Sequence, residues 1–405
     1  MIKIAVLGYG TVGSGVVEVI QTNQEKINER IGEALDIKYV LDLREFPGTP
    51  VEHLIVHDFE QILNDEEVKV VVEVMGGTQP AYTFVKKSLL AGKSVATSNK
   101  ALVAKHGAEL LAIAKEKNIN FLFEASVGGG IPIIRPLTSS LTGDEIEEIT
   151  GILNGTTNYM LSKMYYEGAD YDTVLKEAQA LGYAERDPSA DVEGQDACRK
   201  IAILSSVISG KCVDFEDIYT EGITEITPLD IAYAKAMDMK IKLFASCKRA
   251  GDKLGAIVAP HLVTAEHPLY NIEGVFNSIF VKGNMLGDAM FYGSGAGKLP
   301  TASAVVGDIV EAAKNLNRSM MATWTEEKLA LEEKAEMKKA FFVRIKGSAE
   351  AMQAELAKVF GDISIVKLAE AEDEFGFVTG CMSEGRYETC AKQFPQIIHR
   401  IRVEK

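Results

Sequence analysis

Apolar residues open the chain in a short run, residues 3–7, that ends at Gly8-Tyr9-Gly10-Thr11-Val12-Gly13. A second apolar run over 14–20 follows at once. A buried strand, a glycine-rich turn and a helix are the elements this pattern predicts. Short β-branched runs then recur at 37–41, 68–75, 94–97 and 120–124. Helix-length amphipathic segments separate the later ones, at 83–91 and 104–117. Alternation of this kind predicts a parallel, doubly wound sheet. Further on, strands are predicted at 146–153, 240–246, 254–260 and 275–282. Helices are predicted from the polar turn 154–158 through 166, at 172–181 and at 301–313. Residues 325–339 are rich in Glu, Lys and Ala and suit an exposed helix or a connector. The last part reads strand 341–345, helix 348–360, strands 363–368 and 375–381, helix 386–394 and strand 397–403. That is a βαββαβ order.

The 405 residues leave room for two or three domains with sizeable cores, and 47% hydrophobic with 25% charged residues is a soluble, globular composition. A formal net charge of −15 disfavours nucleic acid or an anionic membrane as partner, and no apolar run is long enough to span a bilayer. The five cysteines are scattered without a CxxC pair, and no HxxxH occurs among the six histidines. Reduced thiols in a cytoplasm are expected, with neither a zinc site nor a signal peptide.

Chemistry enters first at the N-terminus. G-x-G-x-x-G between a strand and a helix is a dinucleotide fingerprint. Gly8 permits the turn, Gly10 lets the backbone approach a pyrophosphate, and Gly13 lets the helix pack on the strand. Tyr9, Thr11 and Val12 complete the loop, and the helix N-terminus offers its amides to phosphate. Asp42, at the tip of the second strand, suits a ribose 2′-hydroxyl, whereas Arg44 suits a 2′-phosphate, so both NAD and NADP remain open. Lys100 follows the strand 94–97 and is aimed at the cofactor crevice, although a surface lysine would read the same way. Gly128-Gly129-Gly130 could line the cleft, coordinate a hard cation through carbonyls, or form a hinge.

The densest chemistry lies in 182–200, GYAERDPSADVEGQDACRK. Asp196 and Lys200 are spaced i,i+4, on one face of a helix that turns apolar from Ile201 onward. Such a pair could grip an amino-acid substrate and donate a proton to it. The same spacing also suits an ordinary surface ion pair. Cys198 lies two residues from both and faces elsewhere, against a thiolate mechanism.

Six segments together resemble homoserine dehydrogenase: GYGTVGSG at 8–15, TSNK at 97–100, EASVGGGIPII at 124–134, LNGTTNY at 153–159, the stretch 182–200, and GAGKLPTASAVVGD at 295–308. They keep the family's order over most of the first three-quarters of the chain. The resemblance implies a Rossmann-type dinucleotide domain over 1–134, with 300–322 packing back on it. It also implies an α+β catalytic and dimerisation domain with a mixed sheet over 135–299, a connector over 323–340, and an ACT-like domain over 341–405. The implied reaction is reversible NAD(P)-dependent reduction of L-aspartate 4-semialdehyde to L-homoserine, in threonine, methionine and isoleucine biosynthesis.

By resemblance Lys200 is the proton donor and acceptor and Lys100 its partner lysine. Two such lysines would lower each other's proton affinity. Glu185, Asp196 and Asp191 grip the substrate, and Gly182 and Gly297 contact the cofactor. Backbone carbonyls of Glu124, Val127, Gly129 and Ile131 match a sodium site. A homodimer or homotetramer and an amino-acid effector at the ACT-like end are further implications. The chain departs from the family at the second strand, where many members carry an Arg-Asp pair that suits NADP and this chain has Val40-Leu41-Asp42-Leu43-Arg44. It departs again at Lys346-Gly347-Ser348, which stands where an ACT domain has Asp-x-Pro-Gly. Two other readings compete: a different NAD(P)-dependent amino-acid or semialdehyde dehydrogenase, and a non-catalytic dinucleotide sensor.

Overall fold

The computed structural model describes residues 1–251, 253–320 and 324–404. Its contacts divide the chain into two units. The first comprises Met1–Glu145, Arg199–Phe215 and Phe291–Leu329; the second comprises Ile146–Cys198, Glu216–Met290 and Ala330–Lys405.

The first unit is built on β1 (Ile2–Leu7), α1 (Thr11–Thr22), α2 (Gln24–Ile31), β2 (Leu35–Leu41), β3 (Ile55–Val56), α3 (Phe59–Leu63), β4 (Val68–Glu73), α4 (Ala81–Leu90), β5 (Ser94–Thr97), α5 (Lys100–Glu116), β6 (Phe121–Leu122) and α6 (Ala125–Gly128). Val, Ile and Ala fill the strand positions because both faces of this sheet are covered. All its strands pair in parallel, in the order β3-β2-β1-β4-β5-β6. This is the expected doubly wound sheet, with its order reversing at β1 and β4, where such sheets bind ligands. The helix Lys298–Lys314 completes the core: Ala302, Val305, Val306 and Ile309 pack with Val16, Val17 and Ile20. Trp324 is also buried here, edge-on to Phe123, and a Cβ on Gly107 would come within 2.5 Å of its ring.

The second unit holds β7 (Ile146–Ile152), α7 (Gly155–Glu167), α8 (Tyr171–Ala180) and α9 (Ser189–Val192). Next comes α10 (Gln195–Ser209), which belongs to both units because Cys198 closes a segment of one and Arg199 opens a segment of the other. Then follow β8 (Tyr219–Thr220), α11 (Pro228–Ala236), β9 (Met239–Ala250), β10 (Lys253–Thr264), β11 (Phe276–Gly283), β12 (Gly287–Ser294) and α12, the helix Lys298–Lys314 of the first unit. β12 and α11 were not among the elements read from the sequence. The C-terminal part consists of β13 (Lys338–Lys346), α13 (Ala349–Phe360), β14 (Ile363–Val366), β15 (Glu374–Thr379), β16 (Met382–Ser383), α14 (Glu384–Ala391) and β17 (Ile397–Glu404).

The mixed sheet runs β12-β11-β7-β9-β10-β17-β13-β15-β14. Its last four strands are antiparallel neighbours with their own core of Phe341, Val343, Leu356, Phe375 and Phe377. β17 also pairs in parallel with β10, at His261↔Arg402 and Leu262↔Val403, so the two parts share one continuous sheet.

Of the two readings open for residues 325–339, an exposed helix or a connector, the α-helix does not form. Lys328 bridges Cys212, Leu331 bridges Leu254, and only Lys334–Glu336 turns as a 3₁₀-helix. Backbone pairing satisfies this segment, and its helix-favouring composition yields to that tertiary pairing.

Candidate active site

In the first unit β1 leads into the glycine loop, where Gly8 holds φ +97° and donates its amide to Leu41 O at 2.8 Å. A Cβ on Gly13 would lie 1.9 Å from Gly8 O, so the helix can press on the loop only with glycine there. A Cβ on Gly10 would meet nothing within 4 Å, which leaves open space before the start of α1. No acidic residue occupies the first turn of α1, so its positive end is free for an anion. Beside the loop is a cavity of about 480 Å³ lined by Gly8, Gly10, Asp42, Arg44, His57, Phe59 and Phe84. Its size and donor set fit a dinucleotide's adenosine end.

Asp42 follows β2 directly. Its Oδ2 accepts from Tyr9 N at 2.9 Å, and Arg44 donates to both its oxygens at 3.0 Å. The Arg44 guanidinium holds this carboxyl well below the usual range. His57 lies against the Asp42 carbonyl at 2.7 Å and Glu45 at 2.8 Å; these bonds raise its pKa, the carbonyl's more than Glu45's.

Lys100 is the first residue of α5, three residues after the end of β5, and Asn99 caps that helix by accepting from Leu102 N at 3.1 Å. The triple glycine is buried up to Gly129. Gly129 takes φ +57°, a Cβ on it would fall 2.3 Å from Gly295 O, and Gly130 N donates to Ser294 O at 3.1 Å. Thus two glycine-rich segments far apart in sequence meet, and Gly297, with φ +113°, caps α12 beside them. Glu124 anchors the loop: its carboxylate accepts from Ile134 N and Arg135 N at 2.8 Å, and its amide donates to Asp308 at 2.9 Å. Burial pushes the Asp308 carboxyl up to about 7 against the pull of Arg135. Among the described residues no loop or side-chain hydrogen bond ends on the carbonyls of Val127, Gly129 or Ile131, although these residues are buried. Buried carbonyls of this kind fit a hard monovalent cation. No group of three or more His, Cys, Asp or Glu side chains is placed to hold a metal among the described residues.

In the second unit Asn154 does two things at once. Its Oδ1 caps α7 through Thr157 N at 2.9 Å, and its Nδ2 donates to Asp191 at 2.7 Å and Asp196 at 2.9 Å. It thereby draws together two acids singled out in 182–200. Thr156 Oγ1 donates to Tyr183 O at 2.6 Å, which fixes the turn where Gly182 has φ +75°. Glu185 is exposed there, and its carbonyl accepts from Gln179 Nε2 at 3.1 Å. On α10, Asp196 and Lys200 lie one helical turn apart, 4% and 8% exposed. A buried carboxylate and a buried ammonium so spaced do not make an ordinary surface ion pair. Cys198 is 1% exposed.

Comparison with known proteins adds to this geometry. Residues 8–124 match the family model of the homoserine dehydrogenase NAD-binding domain, and residues 132–310 that of homoserine dehydrogenase. The homoserine dehydrogenase of Mycobacterium tuberculosis is 46% identical over 321 residues, 78% of this chain and 73% of that one. The chain belongs to the homoserine dehydrogenase family. A crystal structure of a homoserine dehydrogenase from Thiobacillus denitrificans matches 100% of this chain and 98% of its own, with a TM-score of 0.92 at 33% identity. A hyperthermophilic archaeal homoserine dehydrogenase in complex with NADPH matches 78% of this chain and 99% of its own, with a TM-score of 0.67 at 30% identity.

As a homoserine dehydrogenase family member the chain is an NAD(P)-dependent oxidoreductase with a nicotinamide dinucleotide as cofactor. The competing readings, another dehydrogenase or a sensor, are not favoured. Among the described residues no helix is long and apolar enough to cross a membrane. Three site-shaping residues escaped sequence reasoning: Asn154 as tie between acids, Asp308 as partner of the 124–131 loop, and Glu73 as acceptor for Thr97. For Asn154 the signal was present, a capping residue opening the polar turn before α7, but its acidic partners lie 37 and 42 residues away.

Proposed function

We propose that this chain interconverts L-aspartate 4-semialdehyde and L-homoserine, with Lys200 moving the proton. The observation that carries this reading is the buried Lys200 one turn after the buried Asp196, whose carboxylate Asn154 holds. When bound, the reduced nicotinamide supplies a hydride to the aldehyde carbon. Lys200 Nζ hydrogen-bonds to the aldehyde oxygen, stabilises the charge that develops there, and donates the proton that completes the hydroxyl. Lys100 stands by as the second lysine of the proton path. Glu185, Asp191 and Asp196 supply anionic partners for the substrate's α-ammonium. Gly182 and Gly297 present backbone to the cofactor without a side chain in its way. In the oxidising direction Lys200 takes the hydroxyl proton back.

Gly10–Gly13 at the start of α1 would hold the phosphates, and Asp42 and Arg44 would make the choice between NAD and NADP. A sodium ion held by the carbonyls of Glu124, Val127, Gly129 and Ile131 would brace the 124–131 loop. The strand order β17-β13-β15-β14 supports an ACT-like reading of the C-terminal part, with an amino acid such as threonine as candidate effector. A homodimer or homotetramer working in the cytoplasm is part of the same reading. The test is homoserine-dependent reduction of NAD⁺ and of NADP⁺, followed at the nicotinamide absorbance with Na⁺ present. Turnover with either supports the reaction. Folded protein that turns over neither would sink it. Threonine titration and light scattering test the effector and the oligomer.

A further inference from the structure

Glu73 closes β4 after the apolar run Val70-Val71-Val72 and is 0% exposed. A carboxylate so placed needs partners. Met75 N donates to its Oε1 at 2.9 Å and Thr97 Oγ1 to its Oε2 at 2.6 Å. Gly76 N and the Asn99 side chain also favour the charged form. Burial pushes this carboxyl up, and the polar groups around it oppose the shift, Thr97 first.

The bonds have a fixed direction. Asn99 N donates to Thr97 Oγ1 at 3.0 Å, so the hydroxyl's single proton goes to Glu73. Asn99 in turn donates from Nδ2 to Gly77 O at 2.6 Å and accepts Leu102 N on Oδ1 as the cap of α5. Lys100 is the first residue of that helix. The carboxylate therefore binds the turn after β4 to the turn after β5, and sets where the helix bearing Lys100 begins.

We infer that Glu73 is a positioning residue for Lys100, acting through Thr97 and Asn99. The inference rests on the role given to Lys100 above. Only an acceptor at both oxygens of residue 73 suits this network, so glutamine, which keeps the size, must turn its amide against a donor.

The experiment uses the full chain with Glu73→Gln, Thr97→Val and Thr97→Ser. Two quantities are read: steady-state kinetics, and the rate at which an amine-acylating reagent labels Lys100, followed by peptide mass spectrometry with the exposed Lys358 as internal control. For Glu73→Gln and Thr97→Val we expect kcat to fall about tenfold or more, the dinucleotide KM to stay within about threefold, and Lys100 labelling to change at least about threefold. Thr97→Ser keeps the hydroxyl and should recover both readouts. Unchanged labelling and kcat in Glu73→Gln would overturn the inference. So would a Thr97→Ser variant as impaired as Thr97→Val. If Glu73→Gln does not fold, the Thr97 pair decides alone. If the wild type does not turn over homoserine, the reaction assignment fails while the labelling still decides the positioning.

Discussion

Arg44 clasps Asp42 through both carboxylate oxygens, Nε to Oδ1 and Nη2 to Oδ2, each at 3.0 Å. The acid suited to a ribose hydroxyl and the base suited to a 2′-phosphate thus satisfy each other on the lining of the cavity beside the glycine loop. A cofactor has to compete with that pair. For Arg44→Ala we expect the KM for NADPH to rise about tenfold, because the guanidinium that would pair with the 2′-phosphate is lost. The KM for NADH should stay level or fall, as Asp42 is released to the ribose. Equal effects on both cofactors in steady-state assays would show that Arg44 does not read the phosphate.

Lys200 carries the proton in the proposed chemistry. Lys200→Ala should lower kcat by roughly 10²–10⁴, the usual worth of a positioned acid, with dinucleotide binding intact by fluorescence titration. Lys100→Ala should lower kcat less. Turnover preserved in Lys200→Ala would refute its role.

Asn154 joins a helix cap to two acids, and two substitutions separate these functions. Asn154→Ala loses both, and should lower stability by about 1 kcal/mol while raising the KM for homoserine. Asn154→Asp keeps a capping acceptor but sets a third carboxylate against Asp191 and Asp196. Its melting temperature should therefore fall less than that of the alanine variant, and its KM should rise at least as much. Thermal melts and homoserine kinetics on the two variants check this ordering.

Asp230, on α11, is fully buried with Arg344 at 2.9 Å and His399 at 3.1 Å. Burial pushes its carboxyl up, but the hydrogen bond and charge of His399, the Thr227 hydroxyl and Arg344 outweigh it and bring it down to about 2. An unfolded aspartate titrates near 4, so this group contributes stability of about 2 kcal/mol that is present above pH ~4 and lost as pH falls toward 2. Arg344→Met would strand a buried charge and should destabilise by about 3 kcal/mol or more at pH 7. Urea titrations at pH 7 and pH 3 should show the gap between variant and wild type narrowing in acid. A gap independent of pH would show that the pair is not the source.

Much of the dinucleotide domain was legible because its signals are local. The strand 3–7, the glycines 8, 10 and 13, and the helix after them lie next to one another in sequence, and each has its own steric reason. The C-terminal βαββαβ order was legible for the same reason, since its periods of two and of 3.6 alternate cleanly. The Glu/Lys/Ala-rich segment 325–339 left helix and connector both open because propensity is a weak force beside backbone pairing, and its bridging partners Cys212 and Leu254 lie far upstream.

The sequence by itself determined which chemical groups are present: the fingerprint, Asp42 beside Arg44, Lys100, and the acids and lysine of 182–200. Their neighbours are not encoded by adjacency, and the tertiary structure alone decided them. Asn154 reaches acids beyond α8 because the turn after β7 and the start of α10 converge. Gly129 meets Gly295 because neither has a Cβ to hold the backbones apart. Glu73, a single acid ending an apolar strand, takes on meaning only when the turns after β4 and β5 close over it, because a buried carboxylate is tolerated only where donors from separate segments converge on it.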